Sequence, residues 1–427
     1  MPKAASTLCI LLVIGLTAPL TAGDWPAFRG PHGDGMSDEQ QLPLAWGPEK
    51  NVRWKVPLAA PGNSSPIVSA GKVFVTVAED RGHQRHLLCF DRVTGQQLWT
   101  RTVRYEQDER THDTNPYCGS TPVTDGVRVV VWHSSAGLFC YDHAGEELWS
   151  LKLGAFDHIW GYGSSPILHE GKVILLTGPG ERTMLVAVGL QDGKVLWETP
   201  EPGGSASDGS RYVGTWGTPL MAEVDGRQQL LIGLHSRVGA FDPVDGKLLW
   251  FVTGVSSERS DLCYTCPLTS NGVGVVLGGY GGPALGFTLG GSGDVTDRNL
   301  LWRNFSTAPR NPQRIGSAIA LGEHVFLANA DNEGSIECFD LRTGQQRWEE
   351  RRTPDGPHWG SMLFAAGRLY ASGQKGITRV LAPNPDQYEV LAENDLGERS
   401  NSTPAFSEGE IFLRTFEHLY CISETAP

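Results

Sequence analysis

Short apolar runs broken by glycine turns fill the chain. Gly71-Lys72-Val73-Phe74-Val75-Thr76-Val77 and Gly171-Lys172-Val173-Ile174-Leu175-Leu176 are typical: a glycine, then residues that suit a pleated strand rather than the 3.6-residue period of a surface helix. No stretch makes a convincing amphipathic helix. One pattern recurs, Phe90-Asp91-Arg92-Val93-Thr94-Gly95 followed by an apolar run to Trp99. It returns as Tyr141-Asp142 to Trp149, Phe241-Asp242 through Gly246 to Trp250, and Phe339-Asp340 through Gly344 to Trp348. Leu190-Gln191-Asp192-Gly193 to Trp197 lacks the first aspartate, and a fainter, expanded copy ends at Trp302. Asp can bind the backbone two residues on, and Gly accepts the positive φ of a tight turn, so each copy predicts a hairpin. Its Trp offers one flat apolar surface per repeat for docking on a neighbouring unit.

A second periodic signal is a small-residue opening, usually with proline. Ser64-Ser65-Pro66, Ser120-Thr121-Pro122, Ser164-Ser165-Pro166, Gly217-Thr218-Pro219, Thr265-Cys266-Pro267, Gly316-Ser317-Ala318, Gly360-Ser361-Met362 and Ser402-Thr403-Pro404 mark eight units spaced 42 to 56 residues apart. Four short strands per unit of this length indicate a β-propeller blade, with the small residues on innermost strands crowded around a channel. The last unit stops at Leu419-Tyr420-Cys421-Ile422 without a fourth strand, while Asn51-Val52-Arg53-Trp54-Lys55-Val56 has a Trp and no strands before it. The expected fold is therefore all-β, an eight-bladed β-propeller over residues 51–427 closed by an N-terminal strand, which removes the exposed sheet edges of an open ring. Residues 24–50 are expected to form an arm laid across the propeller, anchored by Trp25 and Phe28.

Lys3, the apolar run Leu8–Leu16 and Thr21-Ala22-Gly23 read as a secretory signal peptide over residues 1–23, giving a periplasmic or secreted protein. The run is short of the roughly 20 residues that span a bilayer, and Cys9 stands at its front rather than after it, so a lipid anchor is not expected. Envelope association without a membrane span remains compatible. Cys89, Cys140, Cys338 and Cys421 hold one place in four repeats and read as buried core thiols. Cys263 and Cys266 form a lone C-x-x-C, open to a local disulfide, a redox role or metal. The net charge of −13, with dispersed Lys and Arg, excludes nucleic acid as an expected partner.

The Asp-x-x-Thr-Gly-x-x-x-Trp motif of Asp91–Trp99 and Asp340–Trp348 resembles the tryptophan-docking motif of the pyrroloquinoline-quinone (PQQ) repeat propellers, over about Asn51 to Ile422. That superfamily holds quinoprotein alcohol and glucose dehydrogenases and non-catalytic BamB-like assembly factors, so the resemblance implies the eight-bladed fold and leaves activity open. The enzyme branch implies PQQ and Ca²⁺ held by acidic and amide oxygens beside a catalytic aspartate, and in the alcohol dehydrogenases a disulfide between adjacent cysteines. No Cys-Cys dipeptide exists in this chain and no calcium ligand set maps onto it. No cofactor, metal or catalytic residue is expected, and the favoured function is a binding scaffold for a protein or small ligand at one face. A PQQ-dependent dehydrogenase for an alcohol or sugar is the alternative.

The connections between units carry the unusual residues: His112, Asp113 and Asn115; His158, Trp160 and Tyr162; Arg211 and Tyr212; Arg259 and Asp261; then Arg310, Arg314, His358, Trp359 and Arg399. Three residues before each strand-opening proline or its equivalent stand Asn63, Gly119, Gly163, Trp216, Tyr264, Ile315, Trp359 and Asn401, which places three aromatics around one mouth of the channel. The expected ligand-binding set is His112, Asn115, Trp160, Tyr162, Trp216, Tyr264, Arg314, His358, Trp359 and Arg399, suited to an anionic or aromatic ligand or a peptide segment. The competing reading is a plug of side chains that only fills the funnel. Gly278–Gly282 and Gly290–Gly293 lack the strand-to-helix setting of a phosphate loop and read as blade turns.

Overall fold

In the turn after Phe90, Asp91 Oδ1 accepts from the backbone N–H groups of Val93 and Thr94 at 3.1 and 2.8 Å and from Thr94 Oγ1 at 2.8 Å. Asp340 repeats this with Arg342 and Thr343. The glycine closing each turn faces the tryptophan of the preceding blade rather than its own. A Cβ on Gly95 would lie 2.7 Å from Trp54, on Gly145 2.9 Å from Trp99, on Gly193 2.8 Å from Trp149, and on Gly246 and Gly344 2.5 Å from Trp197 and Trp302. Four of these indoles also donate Nε1–H to a carbonyl in that next turn: Trp54 to Arg92, Trp99 to His143, Trp149 to Leu190 and Trp302 to Leu341.

The computed structural model describes residues 23–179, 183–201, 212–258, 260–305, 313–331 and 333–424; residues 1–22, which hold the expected signal segment, lie outside them. Eight blades of four antiparallel strands, one of them extended by a short fifth strand, form the propeller, blade 1 being Ile67–Ser69, Lys72–Glu79, Gln84–Asp91 and Gln97–Arg104 from the axis outward. The eighth blade is completed by the N-terminal strand Val52–Pro57, antiparallel to the C-terminal strand His418–Ile422 with Trp54 opposite Cys421. This is the closure expected from the sequence. The core lies between blades: Trp149 of blade 2, for example, packs with Val173, Val186 and Val188 of blade 3.

The cysteine slot now has a reason. Directly across the ladder from each docking Trp stands a small residue: Cys89 from Trp99, Cys140 from Trp149, Cys338 from Trp348, Ala187 from Trp197, Ala240 from Trp250 and Gly286 from Trp302. Where blade 7 lacks the Trp, the pair becomes Val380 and Ala392. Opposite side chains share one face of the sheet, so a large ring requires a small partner. In all seven blades the register slips by one residue just before this position, a bulge that strengthens the local twist and, in the six that carry the Trp, helps aim the indole at the next blade. All seven cysteines of the described residues are buried and unbridged, Cys263 and Cys266 included.

The expanded copy before Trp302 is more than a turn. Gly293–Asp294 adds a short parallel strand beside Trp250 and Phe251 of blade 4, followed by the one-turn helix Thr296–Asn299. Trp250 accordingly bonds Gln229 of its own blade and not a neighbouring turn. Gly278–Gly282 is the expected hairpin turn, in blade 5.

The arm crosses the face formed by the first hairpins of the blades. Trp25 pairs with Val68 of blade 1, Pro26 O accepts from Thr124 of blade 2, Gly35 and Ser37 pair with Phe364 of blade 7, and Glu39 accepts from Glu408 and Gly409 of blade 8. Arg29, 1% exposed, sends Nη1 to Ser317 O and Met362 O and Nη2 to Ala318 O and Asp34 O, while Nε donates to Gly33 O. Among the described residues all of its bonds go to backbone carbonyls, and no side-chain carboxylate is bonded to this cation under the channel.

Candidate functional site: a closed funnel on the propeller axis

The residues that precede the inner strands converge on the face opposite the arm. Asn63, Gly119, Gly163, Trp216, Tyr264, Ile315, Trp359 and Asn401, one from each blade, border one cavity of about 560 Å³. Phe28 borders it as well, so the arm supplies the floor.

Two positions further along, each strand opening points its side chain at the neighbouring blade. Thr121 Oγ1 accepts from Ser65 N at 2.9 Å, Ser165 Oγ from Thr121 N at 3.0 Å and Thr218 Oγ1 from Ser165 N at 3.0 Å. On the other side, Ser317 Oγ accepts from Cys266 N, Ser361 Oγ from Ser317 N, Thr403 Oγ1 from Ser361 N and Ser65 Oγ from Thr403 N, at 2.9 to 3.2 Å. A belt of hydroxyls thus links blade to blade around the axis. It is interrupted only at Cys266, whose thiol takes the place of the eighth hydroxyl.

Above the belt the two sides differ. From blades 7, 8, 1 and 2 comes a chain of amides: Gln374 donates to Asn401, Asn401 to Asn63, and Asn63 to Asn115, at 3.1 to 3.2 Å. Asn115 ends it by donating to Trp160 O at 2.7 Å and Tyr162 O at 2.9 Å. Asn115→Ala is expected to cost about 2 kcal/mol in a denaturant titration, because two loop carbonyls lose their donor; an unchanged midpoint would mean that water replaces the amide.

The opposite wall is aromatic. Trp160 lies 4.8 Å from Tyr212 and 6.0 Å from Trp216, and Trp216 5.2 Å from Tyr264, centroid to centroid. A short parallel ladder, Tyr212–Thr215 against Ser260–Cys263, sets the next residues of each strand, Trp216 and Tyr264, side by side. Behind them His158 meets Trp216 edge-on at 5.0 Å, with Nε2 3.1 Å from Val213 O and Nδ1 accepting from Trp160 N. Burial pushes its pKa down to about 4, so the ring is neutral and Nε2–H is the donor. Burial likewise raises the Tyr264 phenol, which stays protonated.

Of the expected set, His112, Asn115, Trp160, Trp216, Tyr264 and Trp359 border the funnel. The other four do not. Tyr162 turns away, donating its hydroxyl to Tyr117 O at 2.7 Å beneath the Arg85 guanidinium. Arg314 is buried against Gly282 O and Glu337, and His358 is buried beside Thr353 and Asp355, the latter paired with Arg379. Arg399 is exposed and covers the Phe416 ring. Arg and His in these connections more often tie loops to blade ends than face the axis. Arg211, Arg259 and Arg310 lie outside the described residues. The sequence reading passed over Tyr280, which reaches the funnel from the glycine-rich turn, and Gln374; a lone aromatic among turn glycines was the available signal for the first.

Among the described residues bordering the funnel there is no Asp, Glu, Lys or Arg. The acidic cluster of Glu398, Glu417 and His418 lies elsewhere, at the ring closure, and Glu398 is bonded to Lys55, Thr415, His418 and Tyr420.

These features meet known proteins as follows. The structure is similar to BamB from Moraxella catarrhalis, with a TM-score of 0.57 at 13% identity over 88% of this chain and 98% of that one. It is similar also to quinohemoprotein alcohol dehydrogenase from Comamonas testosteroni, with a TM-score of 0.64 at 14% identity over 96% and 82%, and to a europium-containing methanol dehydrogenase, 0.55 at 12% over 92% and 89%. At such identities these likenesses speak to the fold alone. No curated protein matches the chain by sequence. A family model described as outer membrane protein assembly factor BamB matches residues 37–116 and 84–350, and the chain belongs to this family of PQQ-repeat propellers.

Proposed function

We propose that this protein is an exported, non-catalytic propeller that binds a protein segment or a small ligand in the axial funnel. The observation that carries this reading is the convergence of one residue from every blade on a cavity with a closed floor, an aromatic wall and an amide wall. Its volume falls within the range of small-molecule sites, and convergent aromatics with a few oriented polar groups are what such sites are made of. The apolar segment at Leu8–Leu16 supports export; among the described residues no helix is long and apolar enough to cross a membrane.

The dehydrogenase reading asks more of the same funnel. Calcium takes six to eight oxygen ligands with carboxylates prominent among them, and PQQ spreads three carboxylates around its rings, more than one belt of donors at the funnel bottom can serve. The described lining offers no carboxylate for the ion and no Lys or Arg for the cofactor, so the residues present do not fit that pair. The test is titration of the purified protein with PQQ and Ca²⁺, following Trp fluorescence, together with dye reduction by alcohols and sugars. No saturable quenching and no reduction are expected; substrate-dependent dye reduction would overturn the proposal.

A further inference from the structure

The hydroxyl belt has a property beyond joining blades. Each of its seven hydroxyls accepts a backbone N–H, and among the described residues none donates its own proton to a protein acceptor. All are at least 96% buried, and Ser165, Thr218, Ser317, Ser361 and Thr403 border the cavity. A hydroxyl that already accepts a bond is polarised into a better donor. The lower funnel is therefore a ring of O–H donors in want of acceptors.

Beneath it lies a positive charge. Arg29 is fixed under the floor by bonds to Ser317 O and Ala318 O, Ser317 being itself a belt residue, and Cys266 and Asp34 lie within its field. Asp34 is partly exposed on the arm side, and its Oδ1 is engaged by Met36 N. On the funnel side no carboxylate among the described residues faces the guanidinium. Donors on the walls and a cation below favour an oxygen-rich anion at the bottom, as preorganised donors do at other anion sites.

We infer that the funnel binds an organic carboxylate with an aromatic or apolar body, its carboxylate down on the hydroxyl belt above Arg29 and its body against Trp160, Trp216 and Tyr264. This rests on the proposed binding function and names its ligand class. Two sources share the chemistry: the free C-terminus of a protein tail, whose preceding peptide groups would meet the amides of Asn63, Asn115 and Asn401, and a small aromatic acid. An amino terminus in the same place would face the cation and a ring of donors.

Calorimetry on the purified protein, without PQQ or Ca²⁺, compares phenylacetate with phenylacetamide and Gly-Gly-Phe with its C-terminal amide. The acid of a pair is expected to bind about tenfold more tightly than its amide, the scale of a hydrogen bond to a charged group. Preference for the tripeptide acid assigns the site to a protein tail, and preference for phenylacetate to a small ligand. Cys266→Ser completes the belt with a near-isosteric change and is expected to raise the acid-to-amide ratio two- to threefold, about the effect of one further weak donor. Amides that bind as well as the acids, binding of neither, or a ratio indifferent to Cys266→Ser would overturn the inference. The dye-reduction assay decides the reading beneath it, so the two can fail separately.

Discussion

Gly344→Ala should lose about 3 kcal/mol of stability while Gly322→Ala, in the same blade, loses only about 1 kcal/mol. Both glycines have positive φ, 66° and 59°, so both substitutions carry the left-handed backbone penalty. They differ in what the new methyl meets. At Gly322 there is nothing within 4 Å, whereas at Gly344 it would lie 2.5 Å from the Trp302 ring and 2.7 Å from Asn304. Trp302 cannot retreat, because its Nε1 donates to Leu341 O at 2.8 Å and its ring packs edge-on against Phe339 at 5.5 Å. The difference between the two variants in urea titrations isolates the blade-to-blade contact from the turn. Equal losses would show that the indole gives way without cost and that the motif glycine serves the turn alone.

Glu398→Gln is the second large effect, with an expected loss of 2 to 3 kcal/mol at neutral pH, about what leaving buried partners of a charged group unpaired costs. Its carboxylate accepts from Lys55 of the closing strand at 2.8 Å, Thr415 at 2.6 Å, His418 at 3.0 Å and Tyr420 at 2.7 Å, and so fastens the first strand of the ring to the last. Lys55 is 36% exposed and its share is modest; the hydroxyls and the imidazole lie deeper. Burial pushes the Glu398 pKa up, but the four bonds outweigh it and bring it from 4.5 to about 2. A carboxylate lowered on folding contributes stability that is fully present above its unfolded pKa and lost as pH falls through its folded one. The wild type should therefore weaken between about pH 4.5 and 2 by a component that the variant lacks, so their curves converge in acid. A gap that stays constant with pH would remove the charge from the account.

The blade count, the closure and the buried cysteines were legible because each is written into residue types that recur: Asp and Gly for the turn, Trp for docking, small residues at the strand openings. What could not be read was which neighbour each side chain meets. The motif Gly and Trp of a single repeat look like partners in sequence, yet Gly95 serves Trp54 and Trp99 serves Gly145. The cysteines read as core thiols, and only the register revealed that they answer the bulk of the Trp opposite. At the funnel, the rule of three residues before the strand opening placed the ring because backbone geometry repeats. Arg314 and His358 could not be sorted from Trp359 by spacing, since the connections between blades follow no common course. The serines and threonines of the belt were visible as small residues, but their hydroxyls act across a blade boundary that one repeat does not contain.

The strand that shuts the ring leads the chain into it, and its partner is made last. Until His418–Ile422 is available, Val52–Pro57 has no ladder to join, and the arm's stations at Phe364, Glu408 and Gly409 do not yet exist. Such pairing between distant ends is slow to find and leaves strand edges open meanwhile. Blades 1 to 7 can stack as they emerge, each Trp seating on the next turn as it arrives, but the circle is completed only by the finished polypeptide. A chain cut short near its end would hold a nearly whole propeller with two unsatisfied edges, a species for quality control to recognise.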